Sequence, residues 1–235
     1  MLWLDGRGGM RCVWACAVLA LCASISGCGV ASGGVGSADE LDLRPVTQAS
    51  ADPLSGGLDK AALTGREVDR FAVTVTEAAI DQREVRVPWR ACVSAAYVLS
   101  GTVLGKPKSM VVRQASGEDV MVTVVLAQYE GDQAQSAMEG LAAAVDECAD
   151  GFTATVDGEE RGFKKVALDL APDGADQAMG LGAVVERAGG KTRGKAVLLR
   201  KGNTVAYLSA VPKGRAPRDF AVPAALVDAQ LAKLP

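Results

Sequence analysis

The chain has 235 residues, 25 basic and 28 acidic side chains, a formal net charge of −3 and no histidine. The missing imidazole excludes Ser-His-Asp and Cys-His catalysis and His-ligated zinc sites. The near-balanced charge supplies no basic stripe for nucleic acid. Catalysis by carboxylates alone remains open.

The chain begins with an export pattern. Arg11 precedes an apolar run over 12–22, too short to span a bilayer as a stable helix. Residues 1–27 therefore read as a signal peptide. The first ten residues fit this less well, because Asp5 is acidic and the spacing is long. Met10, directly before Arg11, is the predicted start. The run closes on Ile25-Ser26-Gly27-Cys28, which resembles a bacterial lipobox, with Ile25 where Leu is commoner. That resemblance implies a diacylglyceryl group on Cys28, which becomes the mature N-terminus. The rival is an ordinary cleaved signal with an incidental cysteine. Acyl chains contribute roughly 0.8 kcal/mol per buried methylene, so two chains hold where one does not. The expected partner is the plasma membrane, through the N-terminal lipid, with the protein on its extracytoplasmic face.

Cys12, Cys16 and Cys22 leave with the signal, and Cys28 takes the lipid. Cys92 and Cys148 remain as one pair in an oxidising compartment. A disulfide between them is predicted, and loop closure of this length is worth roughly 4 kcal/mol. A metal or redox pair is the rival. Two cysteines without histidine are too few for a closed zinc site, and there is no CxxC. No metal or cofactor is expected. Losing Asp5, Arg7 and Arg11 with the signal leaves 23 basic and 27 acidic residues, a net charge of −4.

Residues 28–57 read as a lipid-anchored tether rich in Gly, Ser, Ala and Asp, interrupted by Pro45 and Pro53. A short helix is expected over 58–63, stopped by Gly65. Over 71–76 the residues alternate, placing Phe71, Val73 and Val75 on one face of a strand. Pro88 opens a helix whose shared face is Trp89, Cys92, Val93, Ala96 and Leu99, ended by Gly101. Strands follow at 110–113 and 120–127, joined by a hairpin over 116–118. The second is apolar enough for a central position.

Asp132 is placed to cap the next helix. Ala134, Ala137, Met138, Leu141, Ala142, Val145 and Cys148 recur along it at helical steps. Both cysteines thus lie on buried faces, and the disulfide joins two helices through their inward sides. Strands are expected at 152–156, 166–170, 181–185, 196–199 and 204–211. Asp157-Gly158, Gly189-Gly190 and Gly202-Asn203 supply the turns. Pro223 starts a last helix over 224–234, with Val227, Leu231 and Leu234 on one side. Residues 58–235 read as a single α+β domain, a twisted antiparallel sheet with helices packed on it.

Asp169, Asp173 and Asp176, with Gly174 among them, raise a calcium reading. Their spacing departs from the EF-hand loop, so a solvated loop is preferred. Asp146, Glu147 and Asp150 gather at a helix end, where they oppose the dipole. An exposed polar edge is preferred there over a weak cation site. Trp89 either lines a sugar or lipid groove or packs beside the disulfide, the second being favoured. No catalytic residue is assigned.

Several phrases together carry a family resemblance. They are Ala61-Ala62-Leu63-Thr64-Gly65, Pro88-Trp89-Arg90-Ala91-Cys92, the helix ending in Cys148 before Gly151-Phe152, the stretch 200–205, and the tail 222–231. The layout resembles secreted lipoproteins of filamentous actinobacteria. More distantly it is similar to the extracellular sensor domains of PknH-type receptor serine/threonine kinases. The resemblance implies a twisted antiparallel sheet with helices, a ligand groove and no catalytic residues. Two disulfides are expected in the kinase domains, whereas only the pair Cys92 and Cys148 is available here.

The functional expectation is a non-enzymatic ligand-binding or sensor-like module of the cell envelope. Its ligand would be a small molecule or an envelope protein, held in a groove between sheet and helices. The alternatives are a carrier of lipid or another hydrophobic molecule, or an envelope hydrolase using two facing carboxylates.

Overall fold

The computed structural model describes residues 55–76 and 79–235. The signal, Cys28 and residues 28–54 of the expected tether lie outside the described residues. The chain opens with α1 (Ser55–Ala61), β1 (Ala72–Val75) and the short β2 (Val85–Arg86). A 3-10 turn over Arg90–Cys92 leads into α2 (Val93–Leu99). Next come β3 (Ser109–Ser116), β4 (Val120–Gln128) and α3 (Gln133–Glu147). The second half is β5 (Phe152–Val156), β6 (Glu159–Asp169), β7 (Gln177–Arg187), β8 (Gly190–Lys201), β9 (Thr204–Pro212) and α4 (Ala224–Lys233).

Among the described residues the strands form one antiparallel sheet of nine, in the order β1-β3-β4-β9-β8-β7-β6-β5-β2. Tight turns enforce the antiparallel pairing of the later strands. Asp157 and Gly158 both take positive φ, 52° and 76°, the requirement of a two-residue hairpin. Gly190 and Gly202 also adopt positive φ, as their turn positions require. At Gly151, φ is +101°, and an added Cβ would fall 2.4 Å from the Phe163 carbonyl. Only glycine lets α3 end there and feed directly into β5.

Helices cover both faces of the sheet. On one face Val125, Tyr207, Leu198, Leu181 and Phe163 pack with α2 and α3. On the other, Val124, Leu126, Leu208 and Leu199 pack with α1 and α4. β4 and β9 are buried on both faces, which explains their unbroken apolar runs. The second layer stops short of β5 and β6. There Thr153, Lys164 and Ala167 are left exposed.

Several expectations require correction. The first helix spans Ser55–Ala61 rather than 58–63. Gln230 of α4 donates to the Ala61 carbonyl at 2.8 Å and accepts from the Leu63 amide at 3.3 Å. These tertiary bonds replace a further turn of helix. Val75 is 74% exposed although it shares a face with the buried Val73. β1 is an edge strand, and no helix reaches its far end. The helix expected from Pro88 is broken into a 3-10 turn and α2. Trp89 precedes it in extended backbone and leaves the shared face. Asp132 occupies the cap position of α3 but makes no side-chain cap bond. β6 begins at Glu159, well before the strand expected at 166–170. A register shift between Lys164 and Ala167, with Lys165 at φ 53°, breaks its alternation.

Candidate functional site

Cys92 and Cys148 form a disulfide with Cα atoms 5.7 Å apart. Both are fully buried. Cys92 closes the 3-10 turn that starts α2, and Cys148 is the residue after α3. The bond thus clamps two helices of the same layer, inward side to inward side. Nothing in this arrangement exposes a sulfur for exchange.

Beside this clamp, the connection from α2 to β3 folds down onto the sheet. Leu104 is buried, whereas Gly105 and Lys106 are exposed. Two tyrosines hold the loop from below. The Tyr129 hydroxyl donates to the Leu104 carbonyl at 2.7 Å. The Leu104 amide donates to the Tyr207 hydroxyl at 3.4 Å. The two hydroxyls are 2.7 Å apart. Tyr129 has one proton and gives it to Leu104, so Tyr207 is the donor between them. The result is a closed ring of hydrogen bonds. From the other side, Gln82 donates to the carbonyls of Val103 at 2.9 Å and Gly105 at 2.7 Å.

Burial is the main cause that pushes both phenols up. Tyr207 rises to about 12, and Tyr129, further raised by its neighbour Tyr207, goes higher still. Both stay protonated throughout the physiological range. The pair is therefore a structural clamp and offers neither a base nor a nucleophile.

The pinned loop forms one wall of an open groove of about 440 Å³. Tyr129 lies at its floor, Ser94 of α2 on one side, and Gln133, Ser136, Ala137 and Gly140 of α3 on the other. Small residues at helical spacing along α3 leave this room. Among the described residues, Lys106 is the single formal charge lining it. A second recess of about 580 Å³ lies across the loop, between the loop and residues 79–82. The cleft lies within the helix layer rather than between sheet and helices. It is bounded by α2, α3 and a loop.

The other singled-out residues do not join this site. Asp169 is paired with Lys195, and Asp176 accepts from the Gly202 amide at 2.8 Å. Asp173 is exposed, and no cation-holding cluster exists among the described residues. Asp146, Glu147 and Asp150 are exposed at the end of α3. Trp89 is 50% exposed and lines neither recess, which corrects its expected packing beside the disulfide. Extended backbone at Trp89 turns it out of phase with Cys92. Sequence reasoning missed Tyr129, Tyr207 and Gln82. A tyrosine inside an apolar strand needs a partner for its hydroxyl, and that was the available signal.

The geometry defines an α+β domain with one inter-helix disulfide and an open cleft in its helix layer. No family model matches the chain, and no curated protein matches it. The chain is distantly similar to the extracellular domain of PknH from Mycobacterium tuberculosis. The identity is 15% and the TM-score 0.43, over 76% of this chain and 87% of that one. It is also similar to an uncharacterised protein of Mycobacterium smegmatis, the Rv0999 ortholog. There the identity is 15% and the TM-score 0.38, over 70% and 89% of the two chains.

Proposed function

We propose that this protein is a lipid-anchored module of the cell envelope that binds a small ligand without transforming it. The observation that carries this reading is the cleft beside Leu104. Its wall is fixed from both sides before any ligand arrives, by the tyrosine ring and by Gln82. Such preorganisation favours binding, because little loop entropy is lost on association. The lining offers shape, small polar groups and one cation, but no pair of facing carboxylates. That is why binding is preferred over hydrolysis. The buried disulfide fits an oxidising compartment, and the Cys28 lipobox supplies the tether.

The test is native mass spectrometry of the protein purified from its own host's envelope, alongside Gly140→Phe. A Cβ at Gly140 meets nothing within 4 Å, so the ring fills the cleft without displacing backbone. A discrete extra mass present in the native chain and absent from the variant is expected. An identical ligand mass in both, or reproducible turnover of a substrate in envelope extract, would sink the proposal.

A further inference from the structure

The sheet face opposite the cleft carries an unusual row of cations. Lys191, Arg193 and Lys195 of β8 alternate onto that face, opposite Glu186, Val184 and Gly182 of β7. Lys191 is neutralised by Glu186 at 2.6 Å and Lys195 by Asp169 at 2.5 Å. Arg193 stands between them. Its cross-strand neighbour is Val184, and the next residue across is Lys164 of β6. Among the described residues no ion pair reaches Arg193. With its lysine neighbours on β8 already paired, the Arg193 guanidinium keeps its donors for a further anion.

Arg193 lines a recess of about 370 Å³ with Arg218, which comes from the segment after β9. Arg218 likewise has no ion pair among the described residues. The lining holds three cations, Arg193, Lys195 and Arg218, against two carboxylates, Asp169 and Asp219. The Asp169–Lys195 pair lies flat on the sheet because β7 has no side chain beneath it. A Cβ on Gly182 would fall 2.5 Å from the Lys195 Nζ and 2.8 Å from the Asp169 Oδ2. One end of the recess is apolar. Phe220 forms the wall, and Leu170 is 97% exposed at the rim.

We infer that this recess binds a small amphiphilic oxyanion. Its phosphate or carboxylate is held by Arg193 and Arg218, and a short aliphatic tail lies over Leu170 and Phe220. Arginine matches such a head group because its planar fork donates two parallel hydrogen bonds. The tail covers the one fully exposed leucine of the recess. The site is independent of the cleft beside Leu104, which faces the other side of the sheet.

The test titrates the full chain with octyl phosphate, inorganic phosphate and octanol, followed by NMR of backbone amides and arginine Nε–H groups. Saturable shifts at Arg193, Leu170 and Phe220 are expected with octyl phosphate, at about tenfold higher affinity than with inorganic phosphate. Arg193→Gln and Arg218→Gln each weaken octyl phosphate about tenfold. Leu170→Asn weakens octyl phosphate and leaves inorganic phosphate unchanged, which separates an amphiphile from a free anion. Unchanged amide spectra elsewhere show that each variant is folded. The inference is overturned by shifts of equal size with octanol, by equal affinity for the two phosphates, by unchanged binding in both arginine variants, or by no saturable shift.

Discussion

Tyr129 and Tyr207 have one hydroxyl proton each, and the ring they form with Leu104 uses both. Tyr129→Phe removes the donor to the Leu104 carbonyl and the acceptor for Tyr207, leaving buried groups unpaired. A loss of about 1–3 kcal/mol is expected, read as a lowered urea midpoint at unchanged m-value. Tyr207→Phe costs less, because its bond from Leu104 is long at 3.4 Å. Equal stability of Tyr129→Phe and the native chain would remove the clamp from the account. A second residue-scale effect concerns pH. Lys233 donates to both carboxylate oxygens of Glu67, and the Thr64 hydroxyl and amide add two more bonds. The Lys233 contact is the main cause that lowers the Glu67 carboxyl from 4.5 to about 2. Because the folded value lies below the unfolded one, this stabilisation is complete above about pH 4.5 and fades as pH falls toward 2. Glu67 is exposed, so screening holds the effect to about 1 kcal/mol or less. Thermal unfolding of Glu67→Gln from pH 7 to pH 2 checks the sign. The gap from the native chain should narrow in acid, and a constant gap contradicts the assignment.

At the scale of elements, the disulfide and the strand order make separate contributions. Replacing Cys92 and Cys148 together by Ser removes a cross-link spanning 56 residues, worth roughly 4 kcal/mol from loop closure. Denaturant melts of the double variant should show a loss of that order, and a change below about 1 kcal/mol would mean the helices hold themselves together. The pairing was legible from the sequence because only Cys92 and Cys148 follow the expected signal and lipobox, and both fall on apolar helical faces. Strand existence was legible wherever alternation or an apolar run was clean, as in β4 and β5. It failed where polar residues extend a strand beyond its buried centre. β6 was shortened because Lys164 and Lys165 are exposed at a bulge, and β8 because its first half carries the charged Lys191, Arg193 and Lys195. Trp89 and Val75 were placed inside by periodicity, yet an extended turn and an edge position leave them outside.

For the whole molecule, the proposed address rests on Cys28. Cys28→Ser is expected to move the protein from the membrane fraction to the soluble one, with the acyl mass lost from the intact protein. Retention in the membrane fraction without acyl mass would contradict the anchor. The class of domain was already set by the chain's own chemistry. Alternating and apolar runs, glycine-bearing turns and the cysteines Cys92 and Cys148 specify an antiparallel sheet with helices and a disulfide, because those signals act over a few residues. The tertiary structure decided what no local pattern encodes. It placed helices on both faces of one part of the sheet and left another part open. It brought Tyr129 to Tyr207 across 78 positions and Gln230 to Ala61 across 169. It set Arg193 and Arg218 on one recess while supplying ion partners to Lys191 and Lys195. These features depend on which distant strands become neighbours, and strand order is fixed by the packing of the whole chain rather than by the sequence of any one segment.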